Sequence, residues 1–170
     1  MKEQKGSNQD YVDVFLQEWE SQSGQVRYSD PATAFLFRTL RLSALLEARL
    51  SSLCAKHGIT ASQFQTLAAL RRLSPQPLTA AQVMKYSVLT SGSVTSMIDQ
   101  LQKKGLVKKL QDETDKRAVR ITLTPRGKDL IEPILKERLK ELQSFAKKIS
   151  KKEQEAVSEA LKKILLFEED

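Results

Sequence analysis

The sequence predicts a mainly helical protein that carries one small β-hairpin, with long helices toward both ends of the chain. Three observations predict it. Apolar residues recur at helical spacing through most of the 170 residues. Helix-start signals, in which Ser, Thr or Asp precedes a Gln, Glu or Pro at the right offset, occur again and again. Only between about residues 107 and 123 does the period shorten to the alternation of strands.

Taken in order, Val12, Phe15, Leu16 and Trp19 predict an amphipathic helix over about 10–22, which Ser23-Gly24 ends. Asp30-Pro31 starts a second helix, with Asp30 as cap and Pro31 in the first turn. No glycine or proline interrupts it before Gly58, so it is close to 26 residues or ~39 Å long. Its apolar face (Phe35, Leu36, Leu40, Leu46, Leu50, Leu53, Cys54) exceeds what a small core can cover, so part of it is expected to meet another chain. Thr60-Ala61-Ser62-Gln63 is a capping box that opens a third helix through Phe64, Leu67 and Leu70. After the loop Ser74-Pro75-Gln76-Pro77, Thr79-Ala80-Ala81-Gln82 is a second capping box, opening a short helix to about Tyr86 with Met84 and Tyr86 expected in the core. Thr90 can cap a further helix that buries Val94, Met97, Ile98 and Leu101 and stops at Gly105. Val107–Leu110 and Val119, Ile121, Leu123 alternate as two strands around the polar tip Gln111–Lys116. Thr124-Pro125 restarts helix through Leu130, Ile134, Leu139 and Phe145, with a bend expected at Pro133. Ser150-Lys151-Lys152-Glu153 is another capping box, and Val157, Leu161, Ile164 and Leu165 carry the last helix.

Composition narrows the function classes. One cysteine (Cys54) and one histidine (His57) leave no disulfide framework and no cysteine- or histidine-rich metal centre. No nucleophile–base pair, Gly-rich phosphate loop or paired-carboxylate motif is present, so an enzyme is not expected, nor a cofactor. Apolar runs stay far below the ~20 residues that span a bilayer. The polar N-terminus does not resemble a secretory signal. A cytoplasmic protein with no membrane association is expected.

The net charge of +7 is unevenly placed. Residues 103–128 hold nine Lys/Arg against three Asp/Glu, or +6, whereas residues 1–30 hold three basic and six acidic residues, or −3. The basic excess therefore sits on the hairpin and its flanks, as a polyanion-binding surface requires. Two short helices followed by a hairpin, over about 60–124, form a winged helix-turn-helix. The helix from Ser91 would bury Val94, Ile98 and Leu101 while presenting Thr95, Ser96, Gln100 and Lys103 outward, small polar groups suited to a DNA major groove. Thr79, Thr90, Ser91 and Ser93 supply hydroxyls at helix starts, where anions are favoured. Lys116, Arg117 and Arg120, read as lying near the hairpin tip, suit phosphates and a narrow minor groove, and Asp115 is placed to orient Arg117.

These residues resemble the MarR family of winged-helix regulators. The match is carried by Gly58-Ile59-Thr60, Leu67-Ala68-Ala69-Leu70, Leu78-Thr79, Leu89-Thr90-Ser91-Gly92-Ser93-Val94-Thr95, Leu101, Lys104-Gly105-Leu106-Val107, Asp112-x-x-Asp115-x-Arg117, and Thr122-Leu123-Thr124-Pro125-x-Gly127. The resemblance covers about 58–131. It implies a homodimer held by N- and C-terminal helices (1–57 and 128–170) around a DNA-binding lobe (58–127). It further implies a repressor acting on a pseudo-palindromic operator of double-stranded DNA, and control by a small-molecule ligand held between the dimerisation helices and the DNA-binding lobe. Arg117 matches the family's wing arginine, Asp115 its partner, and Ser91–Lys103 its recognition helix.

The layout is similar to a urate- and purine-responsive subgroup through its N-terminal helix with Trp19 and through Arg72, while that subgroup's aspartate falls at Gln65 here. Trp19, Arg38, Gln65 and Arg72 are the ligand-binding candidates so implied, with Trp19 also readable as a packing residue. Cys54 lies near the end of the long helix on its apolar side, which suits core filling better than thiol sensing. The alternatives are a thiol-responsive regulator using Cys54, and a winged-helix protein-interaction module that does not bind DNA.

Overall fold

The computed structural model describes residues 9–23, 30–87, 91–112 and 118–169, with backbone alone at 23, 87, 91–93, 168 and 169. They form helices α1 (Tyr11–Ser23), α2 (Pro31–Lys56), α3 (Ala61–Arg72), α4 (Ala80–Ser87), α5 (Ser91–Lys103), α6 (Pro125–Ala146) and α7 (Lys151–Glu169), and strands β1 (Leu78–Thr79), β2 (Val107–Gln111) and β3 (Val119–Leu123). The chain divides into two compact units, Met1–Leu50 and Ser51–Asp170.

In the first unit, α1 lies against the first half of α2. Asp10 caps α1, its carboxylate accepting from the Val12 and Asp13 backbone N–H groups at 2.8 and 3.0 Å. The same carboxylate pairs with Arg38 Nε at 2.7 Å, and Arg38 Nη2 reaches Asp13 at 2.6 Å. Phe15 packs against Phe37 with ring centroids 5.3 Å apart, and the Arg41 guanidinium sits 4.7 Å over the Tyr11 ring. Val12 and Leu16 are buried, while Trp19, Leu36, Leu40, Leu42 and Leu45 are exposed. The apolar surplus read from the sequence is therefore real.

The second unit holds the main core: Leu67 of α3, Val83 of α4, Leu101 of α5, Ile121 of β3, and Ile131 and Ile134 of α6 are all inaccessible. Two helices end the same way. Gly58 and Gly105 adopt φ of +69°, and the residues that follow them donate back into the finished helix, Ile59 N–H to the Cys54 carbonyl and Leu106 N–H to the Leu101 carbonyl. Both glycines are required there, because a Cβ disfavours that backbone region.

The sheet has three strands in the order β1-β3-β2, all antiparallel, with Leu78 opposite Ile121 and Leu110 opposite Arg120. The expected hairpin is its outer pair. β1 was not expected, because two residues carry no periodicity; it exists through its pairing with β3. Thr79 ends β1 and caps α4, its hydroxyl accepting from Gln82 N–H at 3.2 Å while the Gln82 amide oxygen accepts from Thr79 N–H at 2.9 Å. Thr124 caps α6 and donates its hydroxyl proton to the Gly105 carbonyl at 2.7 Å, tying the α6 start to the α5 end. α6 continues as helix through Pro133. Ser150 and Glu153 cap α7 reciprocally. α7 leaves Val157, Ile164, Leu165, Leu166 and Phe167 exposed. No helix among the described residues is long and apolar enough to cross a membrane.

Candidate nucleic-acid interface

α5 sorts its residues as the periodicity predicts, save that Met97, expected inside, is half-buried. Val94, Ile98 and Leu101 point into the core, and Thr95, Ser96, Gln100 and Lys103 are exposed. Of the hydroxyl residues at its start, Thr90 lies outside the described residues, and Ser91 and Ser93 are placed by backbone only. Thr79 is half-buried, and its backbone and hydroxyl complete the α4 capping box. An exposed α5 face thus stands beside a second helix N-terminus and the β2–β3 wing.

The wing carries Lys108 exposed on β2 and, beside it, Lys109 paired with Asp99 of α5. The aliphatic stem of Lys109 joins Thr95, Ile98, Val119 and Ile121 around a small depression of about 220 Å³ between α5 and the wing. Residues 113–117 lie outside the described residues, and with them Asp115, Lys116 and Arg117.

Arg120 differs from its expected place near the tip. It sits in the stem opposite Leu110, and its guanidinium pairs with Asp112 and reaches the Pro77 carbonyl at 3.5 Å. The Asp112 side chain is only 5% exposed, and a carboxylate that poorly hydrated needs a cation beside it. Sequence reading missed this pair. The signal was present: Asp112 N–H bonds to the Ala118 carbonyl and closes the hairpin, so Arg120 is its diagonal cross-strand neighbour.

A polar chain that sequence reading also missed runs beneath α5. Gln63 of α3 is 3% exposed. Its amide oxygen accepts from Thr60 N–H at 3.2 Å and from Lys104 Nζ at 3.1 Å. Its amide nitrogen donates to the Gln100 amide oxygen at 3.1 Å. The Gln100 nitrogen in turn faces Ser96 Oγ at 3.4 Å. Lys104 also donates to the Gly58 carbonyl at 2.7 Å.

A second feature is a cavity of about 570 Å³ among α3, α4 and α6, lined by Phe64, Gln65, Ala68, Arg72, Tyr86 and Leu135. It brings together two of the four ligand-binding candidates, Gln65 and Arg72. Arg72 sits 5.2 Å over the Tyr86 ring. Tyr86 is 38% exposed, which corrects its expected place in the core: the ring forms the cavity wall and is covered by a guanidinium. Neighbouring Arg71 pairs with Glu132 and holds that carboxyl below the usual carboxylate range. The other two candidates belong to the first unit, where Trp19 is 51% exposed and Arg38 is held by Asp10 and Asp13. Cys54 is inaccessible, and burial pushes its thiol up against the opposing pull of the Arg138 charge.

Comparison with known proteins places this geometry. The sequence model described as the MarR family matches residues 57–118. The HTH-type transcriptional regulator PecS of Dickeya dadantii is 26% identical over 147 residues, covering 84% of this chain and 87% of PecS. The HTH-type transcriptional regulator MhqR of Bacillus subtilis is 30% identical over 109 residues, covering 64% of this chain and 74% of MhqR. Among solved structures, the Staphylococcus aureus MepR–DNA complex superposes with a TM-score of 0.69 at 26% identity, covering 78% of this chain and 95% of that one.

Proposed function

The chain belongs to the MarR family of winged-helix transcriptional regulators, and from that premise we propose that it is a homodimeric, ligand-responsive repressor that acts in the cytoplasm on a pseudo-palindromic operator. The family regulates transcription and is not enzymatic. The observation that carries the reading is the division of α5: one face is locked into the core, and the other offers Thr95, Ser96, Gln100 and Lys103 beside a basic wing. In this reading α5 enters the major groove and its N-terminal hydroxyls Thr90, Ser91 and Ser93 meet phosphates with Thr79. Lys116 and Arg117, ordered by Asp115, reach the flanking minor groove. Arg120 acts indirectly, by holding the wing stem against Asp112.

Dimerisation is supported by exposed apolar side chains on α2 and α7, which need a partner surface that a monomer lacks. Residues 1–57 and 128–170 supply that interface in our reading, and 58–127 the DNA-binding lobe. Two-fold symmetry then sets half-sites about 34–36 Å apart. The α3–α4–α6 cavity, with a cation over an aromatic wall and an amide at Gln65, suits a planar aromatic anion. It lies next to the helix that braces α5, so its occupancy can shift the separation of the two recognition helices. The buried Cys54 argues against thiol sensing.

The test is fluorescence anisotropy on duplexes from the gene's own upstream region, with sedimentation to fix the oligomer. A dimer that binds, and Arg117→Ala that weakens binding several-fold without loss of the dimer, are expected. A monomer, or no binding to any duplex at low salt, overturns the proposal.

A further inference from the structure

Glutamine on a recognition helix ordinarily reads adenine with both ends of its amide, the oxygen accepting from N6 and the nitrogen donating to N7. We infer that Gln100 is turned out of that pairing and reads acceptor edges, because buried Gln63 draws its amide oxygen inward and leaves its nitrogen on the exposed side. This rests on the proposed major-groove role of α5.

The orientation follows from a one-way chain of donors. Lys104 Nζ and Thr60 N–H can only donate, and both bond the Gln63 oxygen, at 3.1 and 3.2 Å. The Gln63 nitrogen is thereby turned toward Gln100, where it requires an acceptor, and the Gln100 oxygen supplies it at 3.1 Å. The Gln100 nitrogen is left on the exposed side beside Ser96 Oγ. Reversing either amide would set donor against donor next to Gln63, which is only 3% exposed. Gln100 therefore offers the groove N–H donors, which suit the N7 and O6 of guanine or the O4 of thymine and reject the N4 amino group of cytosine. Gln63 is a positioning residue for this specificity, acting on the sequence read while buried away from the duplex.

The experiment selects bound duplexes from a random pool with the full-length wild type, Gln100→Ala, Gln63→Glu and Gln63→Met. Gln100→Ala identifies the base pair that Gln100 reads; there the wild type should favour guanine or thymine over cytosine by about fivefold or more. Gln63→Glu keeps the Thr60 capping box and the Lys104 partner. Its second oxygen accepts from the Gln100 nitrogen, turning the Gln100 oxygen outward, so preference should move to cytosine or adenine at that pair alone. Gln63→Met removes the lock and should admit adenine; it decides the matter should Gln63→Glu fold poorly. An unchanged preference in both Gln63 variants, or in Gln100→Ala, overturns the inference while the proposed function stands. A wild type that selects no sequence overturns both.

Discussion

Gly127, in the first turn of α6, is the position at which one added methyl group should do most damage. A Cβ there would lie 2.0 Å from the Leu106 carbonyl oxygen and 2.9 Å from its carbon. Carbon approaches a carbonyl oxygen to about 3.3 Å, so α6 and the residue before β2 must part by more than 1 Å or so. The same Leu106 oxygen accepts Thr124 N–H at 3.1 Å, and Thr124 caps α6. Forced separation therefore costs overpacking strain of about 1–3 kcal/mol together with a cap of about 1 kcal/mol and a buried hydrogen bond of similar worth. About 3–5 kcal/mol is expected for Gly127→Ala. Gly58→Ala is the control: its Cβ meets nothing within 4 Å, so only the left-handed backbone strain at φ +69° remains, about 1–2 kcal/mol. At about 2–4 °C per kcal/mol, thermal melts at equal protein concentration should separate the two clearly, with Gly127→Ala lower by about 10 °C and Gly58→Ala by about 4 °C. Equal shifts, or a Gly127→Ala protein that melts with the wild type, would refute the steric argument.

Three further outcomes are expected. Asp99→Asn releases Lys109 from its ion pair, so log K against log salt should steepen by about one phosphate's worth, roughly 0.9; a merely structural pair would change the melting point and leave the slope alone. Asp10 is held below its ordinary 3.8 chiefly by its hydrogen bond to Arg38, so its contribution to α1 docking is present above that value and is lost as pH falls below it. The fluorescence of Trp19, the single tryptophan, should report this transition on acid titration, and Arg38→Gln should raise its midpoint toward 3.8; an unmoved midpoint counts against the pair. Cys54 is inaccessible and its thiol is pushed up by burial, so alkylation should be slow in the native protein and fast in denaturant, and fast native labelling would reopen the thiol reading.

What the sequence made legible was local. Every capping box read from it closes in the structure, because cap and partner lie three residues apart and need no tertiary help. The inward and outward faces of α5 follow from its period for the same reason. What was not legible depends on partners distant in sequence. β1 is strand only because β3 lies beside it. Gln63 reads locally as a cap residue, yet its other half addresses Gln100, 37 positions on. Tyr86 reads as core, yet it is 38% exposed at the cavity wall, where Arg72 of another helix lies over its ring.

Charge shows the same division. The nine Lys and Arg side chains counted over residues 103–128 overstate the cations available to a duplex. Lys104 is spent on the Gly58 carbonyl and Gln63, Lys109 on Asp99, and Arg120 on Asp112. Each of these three holds part of the lobe together: Lys104 bridges the Gly58 carbonyl and Gln63, Lys109 ties α5 to the wing, and Arg120 ties the wing to the residue before β1. Net charge sets the long-range attraction to a polyanion, because distant fields add regardless of local pairing. Lys103 and Lys108 are among the cations left facing outward. A lobe built this way commits part of its basic surface to bracing the wing against its neighbours, Lys109 through Asp99 of α5 and Arg120 through Asp112.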